Sequence, residues 1–341
     1  MAREIAGLGE ILRDITIDPS PVARDLARRY GYLPYMIERY IRILGDEAID
    51  LLNAMENPSI LRPVARCNSL RIGCIELERR LSRLGFKTRR LEWAPEAIEI
   101  IDHPESPSIG ATHEYLKGFY YLHRDYSPLI PPLAMRLGRG QRILDSCAAP
   151  GGKATYIAQL IGDEGLIIAN DISINRLRSL VSNIVRMGFG SIMVTRIDAR
   201  RIHKDLRLTF ERILVDAPCS AEGYIMIDPD RKWRTDQRDL ALLVRREIEI
   251  LLSSLELLEP GGILAYSTCS IAPEENEYVV SRALRHYGEE FDIVDPGFSM
   301  WSRGVEDLLI GDIDPRVSRC IRTWPHKHGA GGSFVCIIRR R

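Results

Sequence analysis

The sequence predicts an α/β protein built on a mostly parallel sheet with helices on both faces. From about Gly118 onward, short β-rich runs alternate with longer segments of helical periodicity, and such alternation is typical of parallel sheets. Unusual residues gather where these runs end, at the edge where such sheets bind ligands. The predicted strands are residues 142–144, 166–169, 192–197, 212–215 and 262–266, and the helices between them include residues 174–187 and 240–258.

A helical unit is predicted to precede this sheet, over residues 1–58. Between Pro21 and Met55 the apolar residues recur at helical spacing. One stripe consists of Leu33, Met36, Ile37, Tyr40, Ile41 and Leu44. Amphipathic helices usually bury such a face within their own protein. We therefore expect the stripe to join the core, with docking of a partner as the alternative.

A small α+β module is predicted next, over residues 59–108. Extended runs at 61–68, 87–92 and 97–101 accompany a helix at 75–84. The helix and the strand after it carry a basic cluster that consists of Arg79, Arg80, Arg83, Lys87, Arg89 and Arg90. This cluster predicts either contact with an RNA backbone or an ordinary solvated surface. A proline-containing stretch at 103–108 marks the boundary to the last domain, residues 109–341.

The composition indicates a globular protein of balanced charge. Lys and Arg together number 47, as do Asp and Glu, so the bulk charge does not favour nucleic acid. No continuous apolar stretch resembles a signal peptide or a membrane span, and we expect a cytoplasmic protein without membrane contact. The seven cysteines are odd in number and lack paired short spacings, so we expect neither a disulfide framework nor a metal site.

A glycine-containing loop follows the first predicted strand of the sheet. It comprises Cys147, Ala148, Ala149, Pro150, Gly151, Gly152 and Lys153. Small residues let the backbone approach a ligand, and the N–H groups of the coming helix can bind a carboxylate. Ala154 stands where a P-loop needs Ser or Thr, and the loop departs from the dinucleotide GxGxxG pattern. It therefore favours S-adenosylmethionine over ATP and NAD.

Acidic residues end or follow four successive predicted strands, at Asp145, Asp171, Asp198 and Asp216. Asp171 stands about 20 positions beyond the glycine loop, where such folds hold a carboxylate against ribose hydroxyls. Asp198 is placed to meet an adenine amino group. Together these acids predict a ligand that carries adenosine.

Two cysteines, Cys219 and Cys269, stand at the ends of adjacent predicted strands. A lone cysteine there is usually a small buried hydrophobe, but two at a ligand edge predict chemistry. Carbon 5 of cytosine accepts a methyl group only after a thiolate has added to carbon 6. Asp216 is well placed to hydrogen-bond the ring near N3. The residues alone do not decide which cysteine attacks.

The motifs LDSCAAPGGK, DAPCSAEG and YSTCSIAPEENE resemble, in this order, those of the NOL1/NOP2/Sun family of RNA cytosine-C5 methyltransferases. The resemblance implies a Rossmann-like class I methyltransferase sheet, with S-adenosylmethionine as cofactor. It implies that Cys269 attacks C6, that Cys219 assists product release and that Asp216 contacts the base. The implied cofactor-binding residues are the loop from Cys147 to Lys153 together with Asp171, Arg176, Asp198 and Asp216.

The parts before the sheet are similar to the helical extension and the small RNA-recognition-like module of that family. We therefore expect RNA as the partner, with tRNA ahead of rRNA because the accessory parts are small. A DNA cytosine methyltransferase, whose PC motif would make Cys219 the nucleophile, and a noncatalytic RNA-binding assembly factor are the alternatives. The site is complete within one chain, so we expect a monomer. Trp233 either stacks on a base or, as the favoured interpretation, packs in the core.

Overall fold

The computed structural model describes residues 7–306 and 310–341. The first six residues of the predicted helical unit and residues 307–309 of the predicted last domain lie outside the described residues. Within the described ranges, no helix is both long and apolar enough to cross a membrane.

The described part of the chain begins at residue 7 with four helices, whose bounds are α1 Leu8–Ile15, α2 Pro21–Tyr30, α3 Pro34–Leu44 and α4 Glu47–Met55. The Ser20 hydroxyl accepts a hydrogen bond from the Ala23 amide at 3.2 Å and caps α2, as short hydroxyl side chains commonly do. The buried side chains of α3 belong to the core that packs against the large sheet described below. The predicted apolar stripe therefore lies in the core.

A small antiparallel sheet follows, with β1 Val64–Cys67, α5 Cys74–Arg83, β2 Lys87–Leu91, β3 Ala94–Asp102, α6 His113–Leu116 and β4 Tyr120–His123. Its strand order is β2-β3-β1-β4. The fourth strand comes from beyond residue 108, so the sheet extends past the boundary that the proline-containing stretch predicted. Sequence reasoning missed this four-residue strand, although Gly118 precedes it and Ser127-Pro128 follow it as turn signals.

Most of the basic cluster on this small sheet is paired with acids rather than free. Arg79 and Arg80 both bind Glu76, at 2.5 and 3.0 Å. Lys87 binds Asp102 at 2.8 Å and Arg89 binds Glu99 at 2.6 Å. In the part of the chain that the structure describes, only Arg83 and Arg90 of this cluster have no ion-pair partner. The basic face is weaker than the sequence predicted, because acids outside the cluster neutralise it.

The large sheet has nine strands in the order β11-β12-β13-β9-β8-β5-β6-β7, with β10 paired to β13. Its first half contains α7 Ile130–Ala134, β5 Arg142–Asp145, α8 Gly152–Leu160, β6 Leu166–Asn170, α9 Ile174–Met187, β7 Ile192–Thr195, α10 Ile202–Asp205 and β8 Phe210–Asp216. Its second half contains α11 Arg231–Arg234, α12 Gln237–Leu255, β9 Leu258–Thr268, α13 Glu277–Tyr287, β10 Phe291–Val294, β11 Ser302–Arg303, β12 Ile321–Thr323, α14 Pro325–His328 and β13 Ser333–Arg340.

Strands β5 to β9 form the predicted parallel part of the sheet. The strand order reverses between β5 and β8, and a crevice at such a switch point is where open α/β sheets bind ligands. Strands β10 to β13 are antiparallel additions that the sequence analysis did not predict. They make the sheet mixed rather than mostly parallel along its whole width.

Two disulfides contradict the expectation that the cysteines are unpaired. Cys67 is bonded to Cys74, and Cys320 is bonded to Cys336. The second pair forms because β12 and β13 are antiparallel with Ile321 opposite Val335, which brings the flanking cysteines together. Cys67 ends β1 and Cys74 begins the helix packed on it. Neither proximity can be read from spacing alone.

Candidate active site

The carboxyl ends of β5, β6, β8 and β9 meet at one edge of the large sheet. They bring Asp145, Asp171, Asp216 and Cys269 to the crevice at the switch point. Cys219 reaches the same place from the loop after β8. Of the strand ends that the sequence singled out, those of β5, β6, β8 and β9 therefore lie together at this edge.

The glycine loop packs mainly against its neighbours. Gly151 has a φ of +103°, and a Cβ there would fall 2.8 Å from Leu180 Cδ1 on α9. A Cβ on Gly152 would fall 3.0 Å from the Tyr121 ring on β4. The two glycines let α8 begin close to both elements. Of the predicted loop residues, Cys147 faces the large cavity described next, whereas Ala148, Ala149, Pro150, Gly151 and Gly152 are not among the side chains that line it.

A cavity of about 690 Å³ opens at this edge, within the size range of cofactor sites. Its lining includes Cys147, Asp171, Arg176, Asp198, Asp216, Cys219 and Cys269, which are predicted site residues, together with Arg200, Arg231 and Arg246. The structure thus brings three of the four predicted acids and both cysteines around one space, whereas Asp145 is fully buried and does not line it.

Asp171 is buried and has an oxygen available to a ligand. Its Oδ1 accepts the Ser173 amide at 2.9 Å, whereas Oδ2 has no hydrogen-bond partner among the described residues. The nearest cation is Arg176, 3.4 Å from Oδ2. Arg176 also donates to the Ala149 carbonyl and so holds the glycine loop. A buried acceptor of this kind suits a hydroxyl donor, as the ribose prediction requires.

Asp198 is engaged more fully than the prediction assumed. Its Oδ1 accepts the Arg200 amide at 3.1 Å, and its Oδ2 accepts Arg200 Nη2 at 2.6 Å. These bonds lower the pKa of Asp198. An approaching amino group would therefore share oxygens that already bind a guanidinium.

Burial keeps two groups uncharged here, namely Cys147 in the cavity lining and Asp145 behind it. Burial raises the pKa of the Cys147 thiol far above its usual range, so this cysteine stays protonated. Burial, followed by the charge of Asp216, raises the pKa of Asp145 to about 8. Neither Asp145 oxygen has a hydrogen-bond partner in the ranges that the structure describes.

A second, much smaller cavity of about 30 Å³ lies beside the first. Its lining includes Lys153, Asp216 and Cys269 from the predicted site, and Ser127, Pro128, Tyr224 and Phe334, which the sequence analysis did not identify. Tyr224 donates to Asp125 at 2.7 Å. Residues so far apart in the chain give no common sequence signal, and only the fold unites them.

Lys153 points to this small cavity rather than to the large one. Its ammonium group donates to Asp216 Oδ2 at 2.6 Å, and the Ser267 hydroxyl donates to Asp216 Oδ1 at 2.9 Å. Although burial opposes it, the charge of Asp216 raises the pKa of Lys153. The Asp216 carboxylate is thus held in place by the Lys153 ammonium group and the Ser267 hydroxyl. In this position the Asp216–Lys153 pair can hydrogen-bond to a polar ring.

The sulfur atoms of Cys219 and Cys269 lie 3.3 Å apart. The Cys219 thiol beside it lowers the pKa of Cys269, and Lys153 acts in the same direction. The neighbouring Cys269 raises the pKa of Cys219 well above its ordinary value, and burial adds to this. The two thiols can share one hydrogen bond, with Cys269 as the more acidic partner. A thiolate is the nucleophilic form of cysteine.

Trp233 lies on the surface, with 56% of its area exposed. The favoured interpretation of a core tryptophan is therefore wrong. It is the preceding Lys232 that turns inward, where its ammonium group binds the Tyr30 carbonyl at 3.1 Å and the Glu56 carboxylate. The short helix α11 directs neighbouring side chains to opposite sides.

Comparisons with known proteins identify the family of the chain. The model of the family described as 16S rRNA methyltransferase RsmB/F matches residues 132–339. A mouse protein named 28S rRNA (cytosine-C(5))-methyltransferase is 34% identical over 328 residues, which are 94% of this chain and 40% of that protein. Ribosomal RNA small subunit methyltransferase F of Citrobacter koseri is 34% identical over 304 residues, 85% of this chain and 59% of its own length. The chain spans about half the length of the curated relatives it matches.

A solved structure extends the likeness to nearly the whole chain. The methyltransferase homolog protein from Pyrococcus horikoshii superposes with a TM-score of 0.83 at 33% identity, covering 94% of this chain and all of that one. The fold is the predicted Rossmann-like class I methyltransferase fold, and the resemblance drawn from the three motifs is confirmed. Because the family model covers more than half of the sequence, this chain belongs to the 16S rRNA methyltransferase RsmB/F family.

Proposed function

We propose that this protein is an S-adenosylmethionine-dependent RNA methyltransferase that forms 5-methylcytidine through a covalent adduct on Cys269, with rRNA as its substrate. The relatives reported above carry rRNA in their names, which favours rRNA over the tRNA that the small accessory parts had suggested.

The observation that carries the proposal is that Asp216 and Cys269 line both cavities. The large cavity has the volume and the free acceptor on Asp171 that an adenosine-bearing cofactor needs. The small cavity has the carboxylate and the cation that a pyrimidine ring needs. A base held between them would present one face to the thiolate of Cys269 and its C5 edge to the cofactor cavity.

Each step of the proposed reaction is assigned to particular residues of the chain. The Cys269 thiolate forms a bond to C6, and the Asp216–Lys153 pair stabilises the charge that moves onto the ring. S-Adenosylmethionine, when bound near Asp171, Arg176 and Cys147, supplies the methyl group that C5 then takes. The C5 proton then passes to solvent water, its electron pair re-forms the C5–C6 double bond, and the carbon–sulfur bond breaks to release Cys269 as a thiolate that the Cys219 thiol stabilises by a hydrogen bond. Cys269 is favoured as the nucleophile over Cys219, because only Cys269 reaches the small cavity.

The small cavity holds about one water molecule, so the target base has to open it. A cytosine stacked in a stem cannot present C6 to a thiolate, and the base must leave the stack. We further propose that the three predicted parts act as a helical unit, an RNA-recognition-like module and a catalytic domain of a monomer. The cavity linings come from one chain, and an rRNA substrate is consistent with action in the cytoplasm.

The proposal is tested by incubating the purified protein with methyl-labelled S-adenosylmethionine and separate pools of unmodified rRNA, tRNA and DNA. We expect 5-methylcytidine in rRNA. Methylation of tRNA alone would overturn the rRNA assignment, methylation of DNA would favour the alternative enzyme class, and no transfer to any pool would favour a noncatalytic RNA-binding factor.

The two cysteines are tested with matched alanine variants. Cys269→Ala should abolish turnover and keep cofactor binding, because the thiol acts on the base. Cys219→Ala should accumulate a covalent protein–RNA adduct that survives denaturing electrophoresis. If the adduct forms in Cys269→Ala instead, the two roles are reversed.

A further inference from the structure

We propose that Arg39, on helix α3 of the N-terminal helical unit, is a positioning residue that clamps the two cysteine-bearing loops together. The helical unit would then be a working part of the active site rather than an accessory. This inference rests on the proposed function insofar as the two cysteines cooperate in one reaction.

The contacts of Arg39 reach both loops. Its guanidinium is 2% exposed and donates to Glu274 at 3.0 Å and to Glu222 on its other side. Glu222 stands three residues after Cys219, and Glu274 stands five residues after Cys269. The Tyr40 hydroxyl of the same helix donates to Glu222 at 2.6 Å. One side chain of α3 therefore joins two loops that are about 50 residues apart in the chain.

The loops also touch each other directly beside the clamp. The Gly223 amide donates to the Cys269 carbonyl at 3.0 Å. The amide and the hydroxyl of Ser220 each donate to the Glu275 carboxylate at 2.6 Å. These contacts set the loops at the spacing that leaves the two sulfurs 3.3 Å apart.

The charges around Arg39 predict what happens to the two loops when it is replaced. Arg39 is a single cation between two buried carboxylates, and like charges in a low dielectric repel strongly. When a neutral residue replaces Arg39, Glu222 and Glu274 face each other without a cation between them. The two loops lose the hydrogen bonds that joined them through Arg39, whether the carboxyl groups repel or one of them takes up a proton, and the Cys219 thiol loses contact with the Cys269 sulfur.

Separation of the two loops can be detected through the pKa of Cys269. The titratable or charged groups that act on it are Cys219, Asp216, Lys153, Glu275, Glu247 and Tyr224. Tyr224 also lies on the Cys219 loop, but the Cys219 hydrogen bond has the largest effect on Cys269 and depends directly on the spacing of the two loops. When the loops part, the thiolate loses that bond, and the pKa of Cys269 rises.

The experiment measures alkylation of Cys269 by iodoacetamide from pH 5 to 10, resolved from the other cysteines by peptide mass. It needs neither RNA nor cofactor, so its result is independent of any failure of the methylation assay. The variants are Arg39→Met, Arg39→Lys, and Cys219→Ala, which removes the hydrogen bond directly. The matched control is Arg282→Met, because Arg282 also ties the helical unit to the sheet domain, through Glu10 at 2.7 Å, but contacts neither cysteine loop.

In Arg39→Met and Cys219→Ala, we expect iodoacetamide to alkylate Cys269 about tenfold more slowly than in the wild type at pH values below the pKa of Cys269. This corresponds to a rise of about one unit in that pKa. Arg39→Lys, which can satisfy only one carboxylate at full strength, should lie between them and the wild type, and Arg282→Met should match the wild type. If Arg39→Met does not fold, as judged by circular dichroism, Arg39→Lys carries the test. Wild-type acidity of Cys269 in the folded Arg39 variants overturns the proposal, as does an equal shift in Arg282→Met.

Discussion

A single methyl group at position 223 should disable the site without removing any functional group. Gly223 lies between the Cys269 loop and the glycine-rich segment before β13. A Cβ there would fall 2.8 Å from the Cys269 carbonyl oxygen and 2.5 Å from the Gly332 carbonyl carbon. Ordinary van der Waals contact begins at 3.4 Å. All the obstructing atoms are backbone atoms, so no side chain can turn away.

To reach ordinary contact, the Gly223→Ala variant must move its backbone by about 0.6 Å relative to the Cys269 carbonyl and by about 1 Å relative to Gly332. A displacement of that size at a reacting group costs on the order of 10²-fold in rate. Overpacking of this kind also costs about 1–3 kcal/mol in the free energy of unfolding. We expect a fall of about 100-fold in the single-turnover rate of methyl transfer, with the protein still folded.

Cofactor affinity separates displacement of the nucleophile from general damage. Gly223 does not line the large cavity, so calorimetric titration with S-adenosylmethionine should give an unchanged Kd. The matched control is Gly73→Ala, because that glycine has open space around its Cβ position. A Gly223→Ala enzyme that works within about threefold of the wild-type rate would refute the reasoning.

Three further predictions concern stability, measured as the free energy of unfolding in urea. The pKa of Asp145 is about 8 in the folded chain and 3.8 ordinarily, so between these values the folded state binds one proton more than the unfolded state. The free energy of unfolding should therefore fall as the pH rises from about 4 to 8, by up to about 1.4 kcal/mol per pH unit. Asp145→Asn should flatten that decline, and parallel pH curves for the variant and the wild type would contradict the prediction. Arg322→Met strands the fully buried carboxylate of Glu277 and should cost about 3–5 kcal/mol, most of which Arg322→Met/Glu277→Leu should recover. Cys336→Ser opens the 16-residue loop to Cys320 and should cost about 2–4 kcal/mol, so an undiminished value would argue against that bond.

Sequence reasoning worked best where one periodic signal covers a whole element. The helix predicted at 174–187 is observed as Ile174–Met187, because its apolar positions repeat at helical spacing and Gly188 ends it with a φ of +75°. The parallel strands were predicted to within a few residues because each is a short β-rich run between helical segments. Strands β10 to β12 were missed because they have only two to four residues each and are separated by irregular segments, whereas the eight-residue β13 was overlooked.

The chemistry of the site was predicted from motifs, but its orientation was not. The sequence indicated that Lys153 and the cysteines belong to one site, yet it assigned Lys153 to the cofactor. Only the fold shows its ammonium group beside Asp216. Arg39 and Glu222 are 183 positions apart, and no local pattern relates residues at such a distance. Long-range contacts are set by packing, which a single sequence does not display.

The place of β13 in the sheet also bears on the order in which the protein can be made. This strand follows every other described strand in the chain, yet it pairs with β9, β10 and β12 and supplies Phe334 to the small cavity. During synthesis the domain cannot close its sheet until residues 333–340 have left the ribosome. Until then β9 exposes an unpaired edge, which is a site for aggregation. The enzyme therefore has no finished active site at any earlier stage of its own translation.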